Sequence, residues 1–241
     1  MCQLSHVCFF CDKILAMNRK TYRIIYEDQW IFVCYKPSGM PVQTAKIGVE
    51  DMVSCLKTYR VRKQEEPFIG VITRLDQPVE GLLVFAKTKK AAANLSGQQQ
   101  TGDWAKDYKA VVCGAMPGKV GRLEDYLCRD GRQNLSKVVK KGEKDAKLAV
   151  LNYEVKETRN GYSLLEIHLE TGRHHQIRTQ LSHAGYPIYG DVKYGTGSSI
   201  GLPPLALCEY HLRFLHPKTG EKIEYHIQPE GEGFNAFQDK I

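Results

Sequence analysis

The 241-residue sequence lacks several of the features that mark whole classes of protein. No apolar run approaches the ~20 residues a membrane-spanning helix needs, so no membrane partner is expected. The N-terminus has no early basic stretch leading into an apolar core, and it is not rich in Arg and Ser. It therefore reads as neither a signal peptide nor a transit peptide. There is no Gly-rich phosphate loop and no constellation at metal-ligand spacing. Cys8-Phe-Phe-Cys11 is a CxxC without a second Cys or Cys/His pair nearby, at most half a zinc site. The eight cysteines are scattered, and Cys34 and Cys113 sit in apolar runs. That pattern suggests reduced, buried thiols in a cytoplasmic protein rather than a disulfide framework. Internal repeats and dividing linkers are lacking too.

The composition itself is ordinary for a globular domain, 42% hydrophobic and 25% charged. The expected organisation is a lead segment over residues 1–19, disordered, and one catalytic domain over 20–241. Met17 is a candidate natural start, which would leave residues 1–16 outside the native protein. A net charge of +7 suits a polyanionic partner and equally suits a solvated basic surface. A monomer is the simplest expectation.

Along the chain, Tyr22 to Tyr26 and Trp30 to Tyr35 read as short strands, the second broken by the Lys36-Pro-Ser-Gly39 turn. Val49 to Tyr59 has helical spacing, followed by a charged loop from Arg60 to Glu66. The stretch Arg74 to Gly81 is a polar turn that leads into the apolar run Leu82 to Ala86, a buried strand. Arg74 and Asp76 thus lie on a loop packed against a sheet, where catalytic groups concentrate. Thr88 is placed to cap a helix ending near Gln100. Tyr108 to Cys113 is a strand; residues 118–147 read as basic loop, with Lys137, Lys140, Lys141, Lys144 and Lys147 close together. Leu148 to Lys156 and Tyr162 to Glu170 are strands. Residues 174–184 fit a helix stopped by Gly185. Cys208 to His216 and Lys222 to Gln228 form a hairpin across Pro217 to Gly220. Strands outnumber helices and most links are short, so the expected class is α+β, a predominantly antiparallel mixed sheet with flanking helices and a catalytic cleft.

Four blocks, in order, resemble the RluA-type RNA pseudouridine synthases. They are Tyr26 to Gly39 with its Lys-Pro-x-Gly turn, Arg74-Leu-Asp76 through Lys87, Lys106 to Gly114 around Tyr108, and Thr171-Gly-Arg-His-His-Gln-Ile-Arg178 with Gly190-Asp191 and Tyr194-Gly195. His216-Pro217 fits the closing block. Departures from the family pattern are Thr73 in place of His, Val79-Glu80 in place of Thr-Ser, His174 in place of Thr, and Thr179-Gln180 in place of Val-His. Because the resemblance opens by Tyr26, the S4-like domain found ahead of some members is not expected here.

The resemblance implies the pseudouridine synthase fold and isomerisation of uridine in ribosomal or transfer RNA, without a metal or a cofactor. It makes Asp76 the essential carboxylate, either adding covalently or deprotonating the sugar, and Arg178 its ion-pair partner, since a nearby cation favours the charged form. Tyr108 would line the pocket and remove the C5 proton, although an ordinary phenol near pKa 10 is a poor base. Ile177 would pack on the base. Arg74, Arg173, His174, Gln176 and Lys36 would contact RNA, with Lys36, Arg173 and the 137–147 lysines on phosphates. A stacked uridine would have to be extruded.

Two rival readings use the same residues. One is a non-catalytic RNA-binding protein on the same scaffold. The other is a glycoside-cleaving enzyme, which wants a second carboxylate, Glu80 being the nearest. The cluster His168, His174, His175 and His183 suggests a metal only superficially, because neighbouring helical residues point about 100° apart.

Overall fold

The computed structural model describes residues 21–101, 103–195, 201 and 203–240. The 1–19 lead segment, the Met17 start and the Cys8/Cys11 pair lie outside the described residues.

Two short strands open the fold, β1 (Arg23–Glu27) and β2 (Ile31–Lys36), followed by helix α1 (Met52–Arg62). Next come β3 (Gly70–Val71), β4 (Glu80–Ala86), helix α2 (Lys89–Thr101) and β5 (Ala105–Cys113). A run of long strands follows: β6 (Val120–Asp130), β7 (Leu135–Val139), β8 (Lys147–Arg159) and β9 (Tyr162–Leu169). Helix α3 (Gln176–His183), strands β10 (Leu207–Leu215) and β11 (Lys222–His226) and a 3-10 segment (Glu232–Lys240) complete the chain. The strands form one sheet in the order β1-β2-β4-β10-β5-β9-β8-β6-β7, with β11 beside β10 and β3 beside β4. Among the described residues one pairing is parallel, β4 with β10, through Glu80↔Cys208 and Gly81↔Glu209. The α+β, mostly antiparallel reading holds.

The sheet is covered on both faces where β2 and β4 cross it. Phe32, Cys34, Leu83 and Phe85 pack on one side with Met52, Val53 and Leu56 of α1. Ile31, Val33, Leu82 and Val84 pack on the other with Ala91 and Leu95 of α2. This explains why both strands read as unbroken apolar runs rather than as alternation. The Thr88 cap of α2 forms, its Oγ1 accepting from Ala91 N–H at 3.1 Å.

Three helix boundaries moved for identifiable reasons. Helix α1 starts at Met52, not Val49, because Asp51 is extended and forms a capping box with Ser54. It runs on through Arg60, which is buried and donates to the carbonyls of Phe68 and Lys87, so the expected charged loop begins later. Helix α3 starts at Gln176 rather than at residue 174, since His175 adopts a left-handed conformation (φ 52°). Its C-terminus closes as expected. Gly185 N–H bonds to Ser182 O and Tyr186 N–H to Leu181 O, the paired bonds of a Schellman motif.

The largest correction concerns residues 118–147. Residues 120–139 of this stretch form the hairpin β6–β7, paired from Asp130↔Leu135 to Tyr126↔Val139, with β6 paired along β8 as well, and only residues 118–119 and the turns at 131–134 and 140–146 stay outside strands. Most of β6 is only partly buried, so the two-residue hydrophobic period that reveals a strand is missing. Backbone pairing with β8 sets its conformation instead. The five lysines sit exposed on β7, the following turn and the start of β8.

Candidate active site

The loop carrying Asp76 is held from below by the Lys36–Gly39 turn. Gly39 N–H donates to Gln77 O (2.9 Å), Gln77 Nε2 returns a bond to Gly39 O (2.9 Å), and Ser38 Oγ donates to Pro78 O (2.8 Å). Lys36 is fully buried, and its ammonium donates to the carbonyls of Pro37, Met40 and Gln77 at 3.0, 2.8 and 3.1 Å. All three donors are used inside, so Lys36 is no phosphate contact; it ties the turn to the loop carrying Asp76. Burial pulls its pKa down to about 7, against the opposing pull of Asp76 and Glu80.

Asp76 faces a cavity of about 740 Å³. Arg74, Lys106, Arg129, Arg173, Arg178 and Lys193 line it, and Asp76 is the one carboxylate among the described lining residues. Here the overall positive balance is focused on a single concave site. A narrow recess of about 80 Å³ continues from it, walled by Val79, Ile177 and Leu207 beside Asp76, Tyr108 and Arg178. An apolar recess ending in a few polar groups suits a flat, partly polar ring.

Arg178 is the hub. Its Nη1 donates to Asp76 Oδ2 at 3.2 Å, while Nε and Nη2 form a two-pronged pair with Asp191 at 2.8 and 2.7 Å. Burial works against the charged guanidinium, but the two carboxylates outweigh it and hold its pKa above the ordinary value. Asp191 is fully buried at its side chain. Burial alone would raise its pKa, and Arg178 with the N–H groups of Lys193 and Tyr194 brings it below the usual range. The planar fork of Arg, unlike a lysine point charge, lets one residue serve both partners.

His175 stands on the other side of Asp76, Nε2 to Oδ2 at 3.3 Å, with Nδ1 2.7 Å from Tyr194 Oη. The short approach suggests an ion pair. Burial and the neighbouring cations Arg178 and Lys193 instead push the imidazole down to about 4, so it is neutral at neutral pH despite Asp76. With Nδ1 accepting from Tyr194, the ring proton falls on Nε2 facing Asp76, a tautomer inferred from the partners.

Tyr108 is almost wholly buried and donates its hydroxyl to Glu209 Oε2 at 2.7 Å. Burial, then the charges of Glu209 and Asp76, raise its pKa well above 10.

Residues 30–183 match the family model described as RNA pseudouridylate synthase. The chain belongs to this family. It is 34% identical over 208 residues to a Bacillus subtilis protein named uncharacterized RNA pseudouridine synthase YlyB, covering 84% of this chain and 67% of that protein. It is 35% identical over 221 residues to ribosomal large subunit pseudouridine synthase D of Pseudomonas aeruginosa, covering 84% and 66%. The chain therefore spans about two thirds of the length of these relatives. The fold matches that of human RNA pseudouridylate synthase domain containing 4, with a TM-score of 0.70 at 21% identity, over 86% of this chain and 88% of that one.

Of the residues expected from this pseudouridylate synthase sequence, the structure gathers Asp76, Tyr108, Arg178, Arg74, Arg173 and His174 around the cavity. Ile177 and Gln176 border the recess. Gln176 has its amide committed internally: Nε2 donates to Val150 O, and Oε1 accepts from Arg173 N–H and Thr171 Oγ1. It braces the loop carrying Arg173 and has no polar atom free for RNA. His174 contacts Ser136 of β7 through Nδ1 at 2.9 Å. Glu80 is turned away from the cavity, buried, and bonded to Tyr35 Oη (2.6 Å) and Gly231 N–H (2.9 Å), so it cannot pair with Asp76 in glycoside cleavage.

Asp191, His175, Arg129 and Glu209 were not expected at the site. The Gly190-Asp191 pair carried a signal for the first, and His175 lies within the Thr171–Arg178 block; Arg129 and Glu209 become neighbours only through the sheet. The helical argument about His174 and His175 also fails, since neither is helical and their rings stack at 3.7 Å. Elsewhere, His211, Glu224 and His226 bring ligand-type atoms within 4.8 Å of one another. The two rings lie parallel (6°) at 4.2 Å, so their in-plane lone pairs run side by side and do not converge on one ion.

Lys36→Met is expected to lower stability by about 1–3 kcal/mol through the three orphaned carbonyls. The salt dependence of RNA binding should stay unchanged, and a shallower salt slope would reinstate the phosphate contact. His175 has its folded pKa near 4 and an unfolded value near about 6.5, so the folded state binds fewer protons in that window. Its contribution is fully present above the unfolded value and is lost as pH falls towards 4. His175→Asn, which tolerates the left-handed backbone, should therefore flatten the loss of thermal stability over that window; equal slopes in the two proteins would refute the neutral buried ring.

Proposed function

We propose that this chain isomerises uridine in RNA to pseudouridine in the cavity around Asp76. One observation carries the reading: a carboxylate on a loop, in a cavity otherwise lined by cations, held by an arginine that a second, buried carboxylate locks in place. The reaction breaks the N1–C1′ bond of uridine, turns the uracil, joins C5 to C1′ and removes the C5 proton. It needs an anion at the sugar or base, which Asp76 supplies. It also needs a closed recess that keeps the detached base from leaving, and Val79, Ile177 and Leu207 form its apolar wall. Arg74 is exposed and lines the cavity, so it is available to the RNA near the displaced nucleotide.

The cations at the mouth supply phosphate contacts, which position the strand without reading its sequence. They offset the few kcal/mol that extruding a stacked base costs. Arg129 and Asn134 reach the same cavity from the β6–β7 hairpin, so RNA in the site would lie beside that hairpin and its exposed lysines. Because relatives of this chain are named for the ribosomal large subunit, ribosomal RNA is the first substrate to test, with transfer RNA second. The five described cysteines are free, two of them buried, which suits a reducing cytoplasm.

Asp76→Asn should reduce pseudouridine formation by at least about 10³-fold with RNA binding kept. Carbodiimide modification and reverse-transcription mapping, on RNA from cells with and without the gene, would locate the site. Substantial turnover by the variant would overturn the assignment, and RNA binding without any isomerisation by the wild type would favour the non-catalytic reading. Replacing Lys137, Lys140, Lys141 and Lys144 by Glu should weaken binding and lower the salt slope by up to about 4. An unchanged slope would make that hairpin a solvated face only.

A further inference from the structure

Tyr108 presents a chemical problem that its neighbours resolve. To accept the C5 proton, a neutral phenol must lose its own proton at the same time, or else ionise beforehand. Ionisation beforehand is disfavoured, because burial and two nearby carboxylates hold the hydroxyl protonated. The hydroxyl proton already points at an acceptor: Glu209 Oε2, 2.7 Å away.

Glu209 is an unusual residue to find there. Its side chain has no exposure, no cation pairs with it among the described residues, and Oε1 has no hydrogen-bond partner. A buried carboxylate in this state costs several kcal/mol relative to a packed neutral side chain. The fold keeps it in place with some care. Glu209 pairs across the sheet with Tyr108 on β5, so the two side chains share a face. A register shift follows immediately, between Glu209 and His211, of the kind that re-aims side chains beside active sites. On its other side Glu209 meets Gly81 at the parallel pairing with β4. A Cβ at Gly81 (φ +140°) would lie 2.5 Å from Glu209 O, so only glycine lets the catalytic strand approach this closely.

We propose that Glu209 is the terminal proton acceptor of the isomerisation, taking the Tyr108 hydroxyl proton as Tyr108 takes the proton from C5. This rests on the pseudouridine synthase reading above. The C5–H bond breaks and its electron pair restores the uracil ring. The proton joins Tyr108 Oη, the former Oη–H bond breaks, and its proton forms the Glu209 carboxylic acid at Oε2. After product release the two transfers reverse and the proton passes to water. Burial raises the pKa of Glu209, which makes it a stronger base than an ordinary carboxylate. Glu209 acts through Tyr108 and does not touch the substrate, so it is a positioning and relay residue.

Glu209→Gln keeps shape and a hydrogen-bonding end but cannot take the proton. Single-turnover rates would be measured on an RNA substrate carrying protium or deuterium at C5 of the target uridine, with thermal melting as the folding control. The expected result is a folded variant slowed by about 10²-fold, with a primary isotope effect larger than that of the wild type, because C5 deprotonation has become limiting. A folded variant with the wild-type rate and isotope effect would overturn the relay while leaving the isomerase reading intact; a wild type that forms no pseudouridine would overturn the isomerase reading itself.

Should Glu209→Gln not fold, the wild type carries the test. A descending pH series protonates Glu209 earlier than an ordinary carboxylate, because burial raises its pKa; its charged neighbours are Lys106 and Asp107 on β5 and His211 on β10, with Asp76 beyond Tyr108. The isotope effect should grow over that series, and one that stays flat would refute the relay.

Discussion

A single guanidinium shared between two carboxylates underlies the architecture of the candidate site. Arg178 is nearly inaccessible, and a lone buried cation would be intolerable there. Asp191 satisfies it from one side with a two-pronged bond, and that fixes the plane of the fork so that the remaining donor is presented to Asp76. The direction of dependence matters. Asp191 lies at a tight turn whose backbone N–H groups, from Lys193 and Tyr194, converge on its carboxylate, so the turn orients the aspartate, the aspartate the arginine, and the arginine the catalytic loop.

The loop carrying Asp76 is over-determined in the same way from below. Lys36 directs its side-chain nitrogen at three carbonyls, and the neighbouring Ser38 and Gly39 bond to the same loop. Such a clamp matters because Asp76 is on a turn, which by itself would wander more than transition-state geometry tolerates. The Lys-Pro-Ser-Gly turn and the Arg-Leu-Asp segment are distant in sequence and act as one unit. The central sheet joins them, since β2 leads into the first and β4 leaves the second. Around this rigid floor the cations are arranged on several elements, and only the assembled cavity has a strongly one-sided charge.

Much of the fold was legible because the sheet centre is apolar on both faces and the turns carry their own punctuation. The runs Ile31 to Tyr35 and Leu82 to Ala86, the Thr88 cap and the Gly185 stop each follow from local rules, and each is present. The β6–β7 hairpin was not legible, because a half-exposed strand with polar residues on both faces has no period to read and takes its shape from β8. The start of α3 was misplaced for a related reason: His175 is drawn into a left-handed conformation where its ring meets Tyr194 and Asp76, a tertiary demand with no local signature.

The sequence by itself determined the class of fold and the family, and pointed to Asp76, Tyr108 and Arg178 as candidate site residues, because motif residues and hydrophobic runs act over short range and survive being read one stretch at a time. Only the tertiary structure decided what those residues can do. It placed Asp191 behind Arg178, withdrew Lys36 and Gln176 from the RNA, turned Glu80 away from the cavity and set Glu209 against the hydroxyl of Tyr108. Those outcomes depend on distances between residues from far-apart strands, and on how deeply each charge is buried. Neither quantity exists until the sheet has closed around them.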